Sequence, residues 1–304
     1  MKILLLFSGG LDSILCYRIL KENNFSVKAI QFFTPFLGIK DTEEYIGYYQ
    51  KKFNIKVDLI DVWEEFKYIL ANPSQGYGKN LNPCLDCKLL FYKKAKFIME
   101  EEGFDCIATG EVIGQRPFSQ QRNSLTFLEK HSGLEGKILR PLSYDKSLKI
   151  PEKTFYNITG RGRKKQFELA ERFNIAENIT PAGGCLLTDP NFSKKCRIVL
   201  EFFDNNPENL KKEYFEIIKY GRLKKIGNHL MIIGKDEKDN AKLLFYKEYI
   251  EENSIYLISA NCPSPVVVIL KNRNSKNIKI NLFLPTIKKF IKPCYRDIVI
   301  FNIY

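Results

Sequence analysis

The sequence predicts an α/β chain, a parallel sheet covered by helices and followed by a smaller α+β domain. Three observations lead there. Short apolar runs alternate with amphipathic stretches through the first half, the pattern of parallel strands joined by crossover helices. The first apolar run delivers a glycine pair, Gly9-Gly10, to the start of a helix. From about Asn191 the chain changes to alternating Lys-rich and β-branched segments, which gives domains of 1–193 and 194–304.

Taken in order, residues 3–7 form a strand, 11–22 a helix, 26–33 a second strand and 42–53 a second helix. Residues 56–62 read as a third strand, 88–102 as a helix, and 106–109 as a fourth strand entering Gly110. Ligands bind such sheets at the carboxyl ends of the strands, where Ser8, Phe33 and Gly110 fall. Residues 114–140 are polar and read as loop plus a short helix, 150–173 as helical and basic, and a turn at 180–185 closes the domain. Beyond it, 230–233, 254–258, 266–270, 278–284 and 298–303 read as strands.

A chain of 304 residues, 44% hydrophobic and 27% charged, can bury a substantial core. No apolar run approaches the roughly 20 residues that cross a bilayer, and the first seven residues are too short for a signal-peptide core, so a cytoplasmic protein is expected. A net charge of +13 points to a polyanionic partner such as nucleic acid, because clustered Lys and Arg release counterions from phosphates. Eight cysteines in a cytosolic chain read as metal-binding, catalytic or buried rather than disulfide-bonded. Cys16, Cys106 and Cys196 read as buried structural residues, and His131 and His229 as surface or capped histidines.

Ser8-Gly9-Gly10-Leu11-Asp12-Ser13 sits between the first strand and the first helix, where backbone amides and the helix dipole hold phosphate. The Lys of a Walker loop is absent. The string resembles the PP-loop of ATP pyrophosphatases, a family with an adenine nucleotide α-hydrolase-like fold that cleaves ATP between the α and β phosphates. The resemblance implies that Ser8, Gly9, Gly10 and Ser13 hold pyrophosphate, that Asp12 positions Mg²⁺, and that backbone around Gln31 and Phe32 receives adenine, with Gly110 lining the site.

Asn82-Pro83-Cys84-Leu85-Asp86-Cys87-Lys88 places two thiols where a helix dipole favours thiolates, and Cys185 follows Gly183-Gly184 in an exposed turn. Asn82-Pro83-Cys84 and Gly183-Gly184-Cys185 resemble the two catalytic-cysteine segments of tRNA 2-thiouridylases. Gly110-Glu111-Val112-Ile113-Gly114-Gln115 with Ser119-Gln120 resembles a segment of tRNA 4-thiouridine synthetases, although Glu111 stands where that family usually has Asp. The likeness covers roughly residues 1 to 190 and implies a tRNA sulfurtransferase that adenylates a uridine carbonyl oxygen with ATP.

Two sulfur mechanisms fit. In one, Cys84 and Cys185 are catalytic, one carrying a persulfide from a donor protein and the other resolving it. In the other, Cys84, Cys87 and Cys185 hold three irons of a [4Fe-4S] cluster and the open fourth iron presents sulfide. The second gives Cys87 a role; zinc on the three thiolates is the remaining alternative. A PP-loop enzyme acting on a small molecule and a non-catalytic RNA-binding protein with structural zinc are the rival functions. Neither the sulfur donor nor the oligomeric state, a homodimer included, is encoded legibly.

Arg161, Arg163, Lys164 and Lys165 form one basic run, and Lys288, Lys289 and Lys292 belong to a second, acid-free stretch between Lys271 and Arg296. Both suit a phosphate backbone, here of tRNA. Arg116, near Gly110, is placed to meet RNA or ATP phosphate. Residues 215 to 300 resemble the RNA-binding domain of NFACT proteins, through Gly221-Arg222, the run from Met231 to Asp236, and Asp239-Asn240.

Overall fold

A computed structural model describes residues 1–39, 41–144, 148, 150, 155–175, 184–250, 252, 254–259, 263–271, 279–292 and 301–303. The chain divides into two compact units, Met1–Leu186 and Leu187–Tyr304.

The first unit is built on a five-stranded parallel sheet: β1 (Lys2–Leu6), β2 (Ser26–Phe33), β3 (Val57–Asp61), β4 (Cys106–Thr109) and β5 (Ile138–Leu139) in the order β3-β2-β1-β4-β5. β1 is central because it is apolar on both faces. Ile3 and Leu5 turn to one core with Phe7, Leu4 turns to the other with Ile30 and Phe32, and all three β1 residues are fully enclosed. Burial of each such side chain is worth about 1.5–3 kcal/mol. Helices α1 (Leu11–Glu22) and α2 (Thr42–Phe53) contribute to the first core. Asp41 starts α2 by accepting from the Glu44 amide at 2.9 Å, and Asn54 ends it with φ +53°. The second core takes Tyr92, Ala95 and Met99 from α4 (Cys84–Glu101) and Leu128 from α5 (Arg122–Ser132). α3 (Trp63–Ala71) follows β3, and α6 (Lys164–Arg172) packs Leu169 and Ala170 onto the first core.

Two expectations for this unit are corrected. α4 begins at Cys84 rather than at residue 88, because Pro83 at the cap position leads straight into the helix, so both cysteines lie in its first turn. Of the helix expected over 150–173, the described residues from 155 on are helical only from Lys164: Asn157 bridges to Ser143 and Thr159 to Ile113, and Gly160 turns at φ +83°. The turn expected at 180–185 is described only at Gly184 and Cys185; Gly183 lies outside the described residues.

The second unit contains α7 (Pro190–Phe202), α8 (Lys212–Ile217), β6 (Arg222–Ile226), β7 (His229–Ile233), α9 (Glu237–Phe245), α10 (Lys247–Ile250), β8 (Ser254–Ser259), β9 (Val267–Lys271), α11 (Leu284–Ile287) and β10 (Phe301–Ile303). Its sheet is antiparallel throughout, in the order β10-β8-β9-β7-β6. The strand expected over 278–284 is instead a 3₁₀ turn at Ile280–Leu282 leading into α11. Pro285 suits the first turn of a helix and lacks a strand's N–H, and Phe283, Ile287 and Ile291, all buried, recur at a helical spacing. Of the strand expected at 298–303, residues 298–300 lie outside the described residues.

Candidate nucleotide loop and thiol site

β1 ends at Leu6 and α1 begins at Leu11, so Ser8, Gly9 and Gly10 turn the chain over the carboxyl end of the sheet. Gly9 adopts φ +74°, and a side chain there would collide with the Tyr45 and Tyr49 hydroxyls. Tyr49 donates to the Gly9 carbonyl at 2.8 Å, which fixes the turn from α2. Gly10 caps α1 without a side chain, leaving the amides at the very start of the helix, ahead of Ser13, for an anion. The Gly10 carbonyl accepts from the Ser13 amide at 3.0 Å and the Ser13 hydroxyl at 2.7 Å, so Ser13, only 2% exposed, closes the turn. Ser8 is exposed.

Gly110 explains itself sterically. A Cβ on it would lie 2.7 Å from the carbonyl carbon and oxygen of Asp12 and 2.8 Å from the Ser13 nitrogen, so the end of β4 meets the start of α1 only through glycine. Gln31 and Phe32 lie at the end of β2 beside this turn. The Phe32 ring is core, packed on Phe91 at 5.3 Å, while Gln31 Oε1 accepts from the Tyr45 hydroxyl at 2.6 Å. The Ile30 carbonyl accepts from the Phe7 amide and the Phe33 carbonyl from the Val62 amide. Strand alternation therefore turns the backbone of Phe32 towards the space beyond the end of β1.

Asp12 stands at the centre of the loop. Its Oδ2 accepts from Gln115 Nε2 at 3.3 Å and its Oδ1 lies 3.7 Å from Arg163 Nη2, too far for a hydrogen bond. Burial raises the Asp12 carboxyl, and Arg163, Gln115 and Arg116 pull it the other way. Oδ1 is buried without a hydrogen bond, a position that a cation would satisfy, so the residue fits the Mg²⁺ that the fold implies.

Cys84 and Cys87 are half-buried in the first turn of α4. Cys185 is also half-buried, and the next residue, Leu186, donates its amide to the Phe36 carbonyl at 2.9 Å, which ties this segment to the loop after β2. At Cys87 burial opposes the preference of the helix dipole for a thiolate. Burial pushes its thiol well up, and Cys185 and Cys84 push it further, against the single opposing charge of Lys88. Cys87 thus lies within electrostatic reach of both other sulfurs, and three neighbouring thiolates need positive charge between them. In donor chemistry the set fits a thiolate-bound iron–sulfur cluster or zinc ion. Among the described residues no three His, Cys, Asp or Glu side chains are already drawn into metal-holding geometry. Cys16, Cys106 and Cys196 are fully buried, as expected.

Sequence reasoning missed what holds α4 to the loop after β4. Glu111, nearly buried, accepts from Lys88 at 2.5 Å, from the Tyr92 hydroxyl at 2.5 Å, from the Thr109 hydroxyl at 3.2 Å and from Arg140 Nε at 3.4 Å. Arg140 also donates to Glu129 at 2.6 Å, and Lys88 to the Ser119 carbonyl at 3.1 Å. Burial alone would raise the Glu111 carboxyl, but Lys88 and Arg140 outweigh it and hold the group at about 2. Lys88 follows Cys87 and Glu111 follows Gly110 in sequence, so this network fixes the thiol-bearing turn relative to the nucleotide loop. Only the adjacency of Lys88 to the cysteines hinted at it.

Of the first basic run, Arg161, Lys164 and Lys165 are exposed, whereas Arg163 turns inward to Asp12. In the second unit Lys289 and Lys292 are exposed and Lys288 half-buried; Arg273, Lys276 and Arg296 lie outside the described residues. His131 is exposed and stacks on Phe127. His229, expected at the surface or as a cap, is instead a nearly buried strand residue lying edge-on to Phe283 at 5.7 Å. No helix among the described residues is long and apolar enough to cross a membrane.

A family model described as thiamine biosynthesis protein (ThiI) matches residues 1–152, half of the chain. A tRNA-specific 2-thiouridylase, MnmA, of Petrotoga mobilis is 27% identical over 130 residues, covering 37% of this chain; the chain spans only 35% of that relative's length. Among solved structures, a predicted subunit of tRNA methyltransferase from Methanocaldococcus jannaschii shares 18% identity at a TM-score of 0.41, covering 68% of this chain and 90% of that one. A 4-thiouridine synthetase in complex with RNA and bound ATP gives 17% and 0.37, covering 57% and 51%. The U34-tRNA thiolase NcsA of Methanococcus maripaludis, solved with its [4Fe-4S] cluster, gives 17% and 0.34, covering 73% and 74%.

Proposed function

The chain belongs to the thiamine biosynthesis protein (ThiI) family, and from that premise we propose that it is a cytoplasmic, ATP-dependent sulfurtransferase that thiolates a uridine of tRNA. One observation above all supports the reading: Cys87 feels both Cys84 and Cys185, a residue far along the chain, in the same unit as a phosphate-type loop. A nucleotide loop alone suits many ligases; three cysteines within electrostatic reach of one another in the same unit suit sulfur chemistry.

A uridine carbonyl oxygen attacks the α-phosphorus of ATP, the bond to the bridging oxygen breaks, and pyrophosphate leaves. The oxygen, a poor leaving group as carbonyl, now departs as AMP when a sulfur nucleophile adds at the same carbon. The amides at the start of α1 and the Gly9 turn would hold the phosphates, Asp12 would hold Mg²⁺, and the backbone of Phe32 would meet adenine. Cys84, Cys87 and Cys185 would hold a [4Fe-4S] cluster, which would supply sulfide at the uridine carbon. Lys88 and Glu111 keep the thiol-bearing turn in register with the loop. Arg161, Lys164, Lys165, Lys288, Lys289 and Lys292 receive the tRNA backbone.

A second reading, sulfur transfer to a cofactor precursor, is favoured by the family's description as a thiamine biosynthesis protein. Mass spectrometry of tRNA nucleosides from cells with and without the gene separates the two. The proposal expects one thiouridine species to disappear; an unchanged nucleoside profile together with a thiamine requirement supports the second reading instead.

A further inference from the structure

Arg163 belongs by sequence to a run of basic residues suited to RNA, yet it is the one member of that run turned inward. Its guanidinium reaches Asp12 of the nucleotide loop at 3.7 Å and lies over the Phe167 ring at 5.4 Å. That contact joins two helix starts. Gly10 caps α1 and Arg163 caps α6, and neither supplies a side-chain hydrogen bond to the turn it opens.

Several polar atoms here lack hydrogen-bond partners. Asp12 Oδ1, Arg163 Nε and Gln115 Oε1 are buried without one. Gln166, in the first turn of α6, is fully enclosed, and neither its Oε1 nor its Nε2 is satisfied. Gln115 and Arg163 both contact Asp12, so three unpaired buried polar atoms meet at one carboxylate and suit a polar ligand. The charges agree, since Arg163 and Arg116 both act on the single acid Asp12.

We propose that Arg163 is a phosphate-binding residue that leaves Asp12 for the β- and γ-phosphates when nucleotide binds, and that it carries the charge of the departing pyrophosphate. The inference rests on the adenylation reading above. Arg163 is the nearest counter-charge to Asp12 in this structure. With a cation held by Asp12 the guanidinium would be free for a group of opposite charge, and the geometry of Arg suits two phosphate oxygens at once. As the α-phosphorus bond breaks, negative charge grows on the leaving pyrophosphate, where a guanidinium held at the mouth of α6 opposes it. An RNA phosphate is the competing ligand for the same side chain.

The test is equilibrium binding of ATP, AMP and pyrophosphate, each with Mg²⁺, to the full-length wild-type protein and to Arg163→Met and Arg163→Lys. Arg163→Met should bind ATP and pyrophosphate at least tenfold more weakly while AMP affinity changes less than twofold. Arg163→Lys should recover most of the loss, because it restores the charge. A parallel fall for ATP and AMP would make Arg163 a structural residue and overturn the proposal. So would unchanged ATP binding accompanied by weaker tRNA binding, which would assign the guanidinium to RNA. If the wild-type protein itself fails to bind ATP, the adenylation reading falls and this inference with it; if wild type binds ATP and Arg163→Met matches it, only the inference falls.

Discussion

Replacing Glu111 by Gln removes one negative charge from the network that joins α4 to the loop after β4 and leaves the shape of the side chain intact. Its carboxyl, ordinarily near 4.5, is held at about 2; at roughly 1.4 kcal/mol per tenfold, that depression corresponds to about 3 kcal/mol of native stability. The figure falls within the range for breaking a buried ion pair, since Arg140 is only 7% exposed and would keep Glu129 alone as its acid. The sign with pH follows. The folded value lies below the unfolded one, so the stabilisation is complete above about pH 4.5 and is lost as pH falls towards 2. Trp63, the sole tryptophan, is buried in the first unit and reports the unfolding of that unit. Urea titrations followed by its fluorescence should show Glu111→Gln destabilised by about 3 kcal/mol at pH 7 and its melting point lowered by roughly 6–12 °C. The gap between the two proteins should close as pH falls from 4.5 towards 2. A difference below 1 kcal/mol at pH 7, or one that does not depend on pH in that range, would refute the assignment of Glu111 as the charged keystone.

Other outcomes are as definite. Gly110→Ala places a methyl against the backbone of Asp12 and Ser13; it should cost about 1–3 kcal/mol in a urea titration and weaken ATP binding by displacing the start of α1. Joint replacement of Lys288, Lys289 and Lys292 by Glu should weaken tRNA binding and reduce the slope of log affinity against log salt by about 2–3, leaving ATP affinity unchanged. Protein prepared without oxygen should be brown, with iron and acid-labile sulfide near four each per chain, and Cys87→Ser should lose both colour and activity. A colourless wild type whose Cys87→Ser variant keeps its activity would favour the persulfide route, and about one zinc per chain a structural metal.

Much of the first unit was legible because its strands are apolar on both faces and its motifs sit at strand ends. β1, β2 and β4 need long or complete apolar runs to be buried, and Gly9-Gly10 and Gly110 are required by backbone crowding at one point. β5 escaped notice because Ile138 and Leu139 are a two-residue strand with no period to detect. α3 was hidden in the stretch between the third strand and the cysteines. In the second unit, 278–284 looked like a strand because β-branched residues cluster there; the spacing of Phe283, Ile287 and Ile291 and the position of Pro285 decide for helix. At the site, residue types and spacing disclosed the loop and the thiols. The Glu111 network and the inward turn of Arg163 were not disclosed, because both depend on pairs of residues brought together only by the folded sheet.

Adenylation coupled to sulfur transfer on RNA requires a single stoichiometry. Wild-type protein, kept free of oxygen, is incubated with Mg-ATP, sulfide and tRNA lacking thiouridine, and AMP, pyrophosphate and thiouridine are quantified together, with Asp12→Ala as control. One AMP and one pyrophosphate should appear for each thiouridine formed, and none of the three should appear with Asp12→Ala. AMP released without thiouridine, or thiouridine formed at the wild-type rate by Asp12→Ala, would contradict the account.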